Sequence, residues 1–396
     1  MKEDLSERME YRQPKEQTSW IQEKKRQVLV TLNWISQPLK QSSTRTSAVV
    51  LAAGFGLSTV IPAFAVGTSS PTAPPHQRTQ QLSQNPKTVE LTLVSYAVTK
   101  AAYDKIIPQF VAKWKREHNQ DIVFQQSYGG SGSQTRAVID GLEADVVALA
   151  LALDTQKIEK AGLIQPGWEQ ELPNGSIVTR SVAALVTRPG NPKKVRGWAD
   201  LTRPDVKTIT ANPKTSGGAR WNFLALWGSV TQSGGDENKA REFVTQVYKN
   251  VPVLPKDARE ASDVFFKQQQ GDVLINYENE VILAAQAGET NSFSVIPQTN
   301  ISIDNPVAVV DKNVDKHGTR QVAEAFVKFL FTPEAQREFA KVGFRPVDPT
   351  VNKEVANKFP RVTKLFTVAD FGGWDSIQKK FFDDGAIFDQ IQASSR

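Results

Sequence analysis

The stretch VELTLVSYAVTKAAYDKIIPQFVAKWKREHNQDIVFQQSYGGSGSQTRAVIDGLEADVVALAL, residues 89–151, carries two periodicities in turn. Val89–Tyr96 alternates apolar and polar residues, the pattern of a half-buried strand. From Ala101 to Glu117 the residues Tyr103, Ile106, Ile107, Phe110, Val111 and Trp114 recur at helical spacing. Ile122–Gln126 reads as a second strand and Gln134–Leu142 as a second helix. Asp145–Leu151 is apolar enough for a strand covered on both faces. Strand, helix, strand, helix, strand predicts an α/β layer architecture with parallel strands.

The alternation continues toward the C-terminus. Asp154 is expected to cap a helix running to Ala161, with Gly162 closing it. Strands are expected at Ile177–Thr187, Val206–Thr210, Val251–Leu254, Gly271–Tyr277, Phe293–Pro297 and Pro306–Val310. Helices are expected from Ala219 to about Val230 and at Glu237–Lys249, Ala261–Gln268, Asn279–Ala287, Arg320–Leu330 and Pro333–Lys341, the last with Thr332 as its cap and Pro333 in its first position. No repeat, coiled coil or long linker interrupts this run. It predicts two α/β lobes joined by strand-like crossovers, and hence a cleft.

Toward the N-terminus the pattern stops. Residues 1–40 are polar and charged, and an apolar run from Ala48 ends Ile61-Pro62-Ala63-Phe64-Ala65. Lys40 and Arg45 flank it on the positive side, and Gly54, Gly56 and Pro62 interrupt it. It is short for a membrane span. Residues 1–65 are therefore expected to be a hydrophilic leader plus a secretory signal cleaved after Ala65, an uncleaved anchor being the competing reading. Residues 66–88, rich in Pro, Ser and Gln, are expected to be a flexible tether, and 89–396 the folded, exported part.

The whole chain of 396 residues carries 48 Lys+Arg against 42 Asp+Glu. Residues 1–65 hold nine Lys/Arg and six Asp/Glu, so the mature chain of 331 residues keeps 39 basic and 36 acidic residues. Near neutrality argues against a nucleic-acid partner. The absence of cysteine removes disulfide frameworks, thiolate nucleophiles and Cys-ligated metals. His76, His118 and His317 are the only histidines and are far apart, which argues against a metal site or a Ser-His-Asp triad. No cofactor, metal or catalytic set is predicted.

Two loops stand out: Gly129-Gly130-Ser131-Gly132-Ser133 and Thr215-Ser216-Gly217-Gly218-Ala219. Each follows a strand and opens a helix. Such a loop turns backbone N–H groups outward at the positive end of a helix and suits an oxyanion. Neither fits a nucleotide motif: Lys214 precedes its glycines, and Gly130-x-Gly132 lacks a third glycine.

Asn212-Pro213-Lys214-Thr215-Ser216-Gly217-Gly218-Ala219-Arg220-Trp221-Asn222 resembles the signature of prokaryotic sulfate-binding proteins. So do Gln126–Gly132, Gly141–Asp145, Gly271–Ile275 and Phe371–Trp374, in family order from about Thr88 to the C-terminus. The thiosulfate-binding branch is close. The resemblance implies a type II periplasmic-binding-protein fold whose two α/β lobes close on one dianion held by uncharged donors. Lobe 1 is expected at roughly 89–173 and 281–335, and lobe 2 at roughly 176–278 plus the C-terminal helices. Carried over by position, Ser131 is implied as a hydroxyl donor, Ser216 as a donor through both hydroxyl and N–H, and Gly217, Gly218, Ala258 and Ala97 as N–H donors. The family carries an acidic residue where this chain has Ala97. The sulfate branch carries a tryptophan where this chain has Tyr277, which leaves Tyr277 either a substitute donor or a cleft-wall aromatic. The implied partners are sulfate or thiosulfate and the inner-membrane permease of an ATP-driven importer, with the receptor a periplasmic monomer.

Sulfate is fully ionised at neutral pH and presents acceptors alone, whereas phosphate keeps a proton and needs an acceptor. Neither Gly/Ser loop holds a carboxylate, Asp140 and Asp236 lying outside both, which favours sulfate. A secreted phosphoryl- or sulfuryl-transfer enzyme using the same cradle is the rival from another class; it would need a nucleophile, general base or metal set beside the cradle, against which stand the absence of cysteine, the sparse histidines and loops without carboxylates. Arg136, Arg220 and Arg259 follow the contact segments and are expected either to orient loops or to form surface salt bridges. Lys214 is expected to be structural or solvent-facing. Trp221, Phe223, Leu224 and Trp227 are expected in the core.

Overall fold

A computed structural model describes residues 88–395 apart from 287 and 289–291. The leader and signal lie outside the described residues, as does the tether up to Lys87. Among the described residues no helix is long and apolar enough to cross a membrane.

The first strand, β1 (Val89–Tyr96), has the bounds its alternation predicts, with Leu91 and Leu93 fully buried. The helical stripe forms α1 (Lys100–His118), which buries Tyr103, Ile106, Phe110 and Trp114 and stops at Asn119 in the left-handed region. β2 (Ile122–Gly129) lies parallel to β1 along its whole length, from Val89 opposite Ile122 to Tyr96 opposite Gly129. α2 (Ser131–Ile139) starts three residues before the expected Gln134, so strand and helix are joined by Gly130 alone. β3 (Val146–Ala148) adds parallel to the other side of β1. α3 (Ala152–Lys160) is preceded by Leu151 in extended conformation, so Asp154 lies inside its first turn and does not cap it.

The expected single strand Ile177–Thr187 is two. β4 (Ile177–Ser181) joins the first sheet, and β5 (Ala183–Pro189) enters a second one, with Val182 between them. The second sheet adds β6 (Thr208–Ile209). Then come α4 (Gly217–Thr231), α5 (Glu237–Lys249) and α6 (Ala258–Phe266), β7 (Val273–Tyr277), α7 (Glu278–Gln286) and β8 (Ser292–Val295), in strand order β6-β7-β5-β8. Val251–Leu254 pairs with no strand.

The chain returns through β9 (Thr299–Ile301) and β10 (Ile303–Val309). α8 (Asp311–His317), α9 (Arg320–Phe329), α10 (Pro333–Lys341) and β11 (Arg345–Pro346) follow, completing the first sheet as β11-β4-β10-β3-β1-β2. Both crossings are tied together. The buried Asn300 amide donates to the Ala183 carbonyl at 2.8 Å and accepts from the Ala183 N–H at 3.2 Å. α11 (Pro349–Glu354) and β12 (Lys364–Phe366), parallel to β9, lead to α12 (Gly373–Ile377) and α13 (Ile387–Ser394). Trp221, Phe223, Leu224 and Trp227 of α4 are buried, as expected of core residues, and Phe223 meets Phe381, Phe382 and Phe388 of this C-terminal segment.

Candidate functional site

Because β1, β2 and β3 are parallel, the elements that follow them start at one edge of the first sheet. A 3-10 turn opens at Ala97, α2 at Ser131 and α3 at Ala152. α4 and α6 begin opposite, at Gly217 and Ala258, and β7 ends there at Tyr277. Between them lies a small cavity, whose free space of about 190 Å³ includes solvent at its mouth. All seven residues singled out from the sequence line it: Ala97, Ser131, Ser216, Gly217, Gly218, Ala258 and Tyr277. Tyr96, Val98, Gly129, Gly130, Ala150 and Asp257 complete the wall.

The first N–H groups of a helix find no acceptor within it, and its N-terminus carries partial positive charge. The starts of α2, α4 and α6, which line the cavity, and the 3-10 turn therefore present donors here. The two serines divide the work differently from the expectation. The Ser131 hydroxyl donates to Asp154 Oδ2 at 2.6 Å and accepts from the Ala150 N–H at 3.0 Å. Its proton is committed to Asp154, and the donor Ser131 has left is its backbone N–H. Ser216 is the reverse: its N–H donates to the Asn212 carbonyl at 2.8 Å. Its hydroxyl oxygen caps α4 by accepting from the Ala219 N–H at 3.2 Å, which leaves the hydroxyl proton available.

Tyr277 is fully buried, and its hydroxyl has no hydrogen-bond partner among the described residues. Burial above all, and then the negative charges of Asp154 and Glu280, push its pKa well above the usual tyrosine value. The phenol therefore keeps its proton and can only gain by meeting an acceptor.

Carboxylates do stand near the cavity, which corrects the expectation drawn from sequence proximity. Asp154 reaches Ser131 because α2 and α3 start side by side, a consequence of strand order that sequence distance hides. Its other oxygen lies 3.5 Å from Arg220 Nη1, in a buried ion pair. Asp257 accepts from the Glu260 N–H at 2.9 Å and caps α6. Buried Glu280 pairs with Arg259 at 2.8 Å and accepts from Ser262 Oγ at 2.6 Å. Each carboxylate is thus engaged by protein donors. Arg220 also donates from Nε to the Pro213 carbonyl at 2.9 Å, so it orients the second loop. Lys214 turns away from the cavity.

The glycines permit close approach of backbone. A Cβ on Gly130 would lie 2.6 Å from the Thr215 carbonyl oxygen, and one on Gly217 would lie 2.7 Å from Ala150 Cβ. One on Gly218 would lie 2.8 Å from the Tyr277 ring. The two Gly/Ser segments face each other across the cavity with no room for a side chain between them.

Residues 91–345 match the model of a family described as bacterial extracellular solute-binding protein. The chain is 65% identical over 305 residues to a sulfate-binding protein of Synechococcus elongatus, covering 77% of this chain and 87% of that one. It is 42% identical over 300 residues to a thiosulfate-binding protein of Pseudomonas aeruginosa, covering 75% and 90%. Among solved structures it is similar to the sulfate-binding protein SubI of Mycobacterium tuberculosis, with TM-score 0.69 and 38% identity over 74% of this chain and all of that one.

Proposed function

The chain belongs to the sulfate-binding proteins within the bacterial extracellular solute-binding family, and on that premise we propose that it captures sulfate in the cavity between its two sheets and hands it to an ATP-driven importer in the inner membrane. Membership of a solute-binding family makes it a receptor and not an enzyme. The observation that carries the reading is one small cavity ringed by helix starts and by the orphan phenol of Tyr277. That set supplies hydrogen-bond donors.

In this reading the first sheet and its helices offer Ala97 and Ser131 through their N–H groups. The second offers the Ser216 hydroxyl, the N–H groups of Gly217, Gly218 and Ala258, and the Tyr277 hydroxyl. A bound dianion is reached from both sides, so it favours the approach of the lobes by its greater affinity for that form. Each lobe contains one sheet, and the crossings at Val182 and near Asn300 lie between them. The receptor is periplasmic and monomeric, and it works without a cofactor.

Thiosulfate is the second reading, favoured by the relative from Pseudomonas and by a phenol standing where the sulfate branch has an indole. Calorimetric titration with sulfate, thiosulfate, molybdate and phosphate tests both. Submillimolar binding of sulfate with phosphate weaker by orders of magnitude is the expected result. Binding of neither sulfate nor thiosulfate would overturn the receptor reading.

A further inference from the structure

Lys214 stands two residues before the donor Ser216, where its charge could be turned toward the anion cradle. Here its Nζ turns to the C-terminal turn instead. It donates to the Phe382 carbonyl at 3.2 Å and to Asp389 Oδ2 at 2.9 Å, with the Asp383 carbonyl and Asp384 Oδ1 at 3.5 and 3.4 Å. Asp389 is prepared for it. Partial burial works against the charged carboxyl, but the Lys214 ammonium and the Gly385 N–H, at 2.7 Å, hold its pKa below the ordinary aspartate value.

The rest of the loop is fastened in other directions. The Asn212 carbonyl accepts from the N–H groups of Thr215 and Ser216, and Asn212 Oδ1 accepts from the Lys214 N–H at 2.9 Å. Thr215 Oγ1 donates to the Lys256 carbonyl at 2.6 Å, just ahead of Ala258. The C-terminal turn is itself anchored. Phe388 of α13 is fully buried against Phe223 of α4 and Tyr248 of α5, with ring centroids 6.1 and 5.7 Å apart. A closed circuit results: α4 packs on α13, α13 carries Asp389, Asp389 holds Lys214, and Lys214 fixes the segment that ends in the cap of α4.

We propose that Lys214 is a positioning residue for anion binding, and that the turn Phe382–Asp389, more than 160 residues away in sequence, belongs to the binding machinery by holding Lys214 out of the cavity and Ser216–Gly218 in place. The proposal rests on the oxyanion-receptor function above. Preorganised donors bind a charged group without the cost of ordering them first.

The test uses the full chain, sulfate calorimetry, and amide hydrogen exchange of residues 212–218 without sulfate. Lys214→Met and Asp389→Asn should each weaken sulfate binding roughly tenfold, the scale on which supporting partners of a site act. The double variant should be no weaker than the worse single one, Lys214→Arg should recover most of the loss, and exchange at Ser216–Gly218 should rise in both single variants. A lysine that attracted the anion by charge would give opposite signs, since Asp389→Asn would unmask it and tighten binding. That result, or Lys214→Met binding like wild type, overturns the proposal. If Lys214→Met does not fold, Asp389→Asn, in a different element, still reports the sign. If wild type binds neither sulfate nor thiosulfate, the receptor reading fails, whereas the exchange comparison still judges the Lys214–Asp389 contact by itself.

Discussion

Tyr277→Phe separates the two things a buried hydroxyl can do. The ring stays, so its packing against Gly218 and its contact with Tyr96, centroids 6.0 Å apart, are kept. What disappears is an O–H that no described protein atom satisfies. In the empty protein that group costs on the order of 1–3 kcal/mol as an unpaired buried polar atom. Its removal should leave the thermal midpoint unchanged or raise it by a few degrees. In the loaded protein the same O–H is expected to donate to a dianion, an interaction of about 1.5–3 kcal/mol for a charged partner. At about 1.4 kcal/mol per factor of ten, sulfate affinity should fall roughly 10- to 150-fold. Calorimetry with sulfate and a melt of the empty protein read the two effects independently. Unchanged affinity would refute the donor role and make Tyr277 a wall. Unchanged affinity with a lowered midpoint would further mean that the hydroxyl serves the core.

Three other outcomes follow from the same geometry. Ser131→Ala strands the Ala150 N–H and leaves Asp154 with one donor fewer, so it should lower stability by about 1–3 kcal/mol; Ser216→Ala should cost more affinity than Ser131→Ala, and the reverse ranking in paired titrations would contradict the division of roles between the serines. Gly130→Ala drives a methyl to 2.6 Å from the Thr215 carbonyl oxygen, and overpacking of about 1–3 kcal/mol should force the two loops apart, lowering both the melt of the empty protein and its sulfate affinity; a variant that melts and binds like wild type would contradict the tight approach of the loops. His317 lies with Nε2 2.9 Å from Glu143 and Nδ1 2.8 Å from Asp145, and these bonds raise its pKa above 6.5. A raised histidine contributes stability that is whole below about pH 6.5 and is lost as pH rises through the folded value; Lys316 beside Glu143 and Thr319 on Asp145 are the other groups facing the pair. Denaturant melts from pH 6 to 9 should show that decline in wild type and not in His317→Asn.

Much of this was visible in the order of residues. The alternation in Val89–Tyr96, the stripe of α1, and Thr332 with Pro333 marked elements whose local preference and tertiary setting agree. Element ends were less clear at the site. Ser131 and Gly217 look like loop residues because serine and glycine favour turns, yet both lie in helices whose starts are fixed by the Ser131 bonds to Asp154 and Ala150 and by the Ser216 cap. Val182 gives no local sign that a strand changes sheet there, because extended-type residues run on both sides of it without a glycine or proline to mark a break. Asp154 shows the limit of distance along the chain. A carboxylate 23 residues from Ser131 becomes its nearest acceptor only when three parallel strands bring two helix starts together. The Lys214–Asp389 pair is the same lesson over a longer span.

The place of β10 has a consequence for how the molecule is made. It is the inner strand between β3 and β4, with Val307 opposite Ala148 and Asp304 opposite Arg180. The first sheet therefore has a gap at its centre until residues made after the whole second sheet arrive. β5 through β8 can pair among themselves earlier, over shorter loops. Closing long loops is slow because their entropy is lost before contacts reward it. The late entry of β10 should be the rate-limiting assembly step, and substitutions in β10 should slow refolding more than equally destabilising ones in β7. Until it docks, β3 and β4 expose unpaired edges, which makes that interval the one in which the chain is most open to association with other unfolded copies.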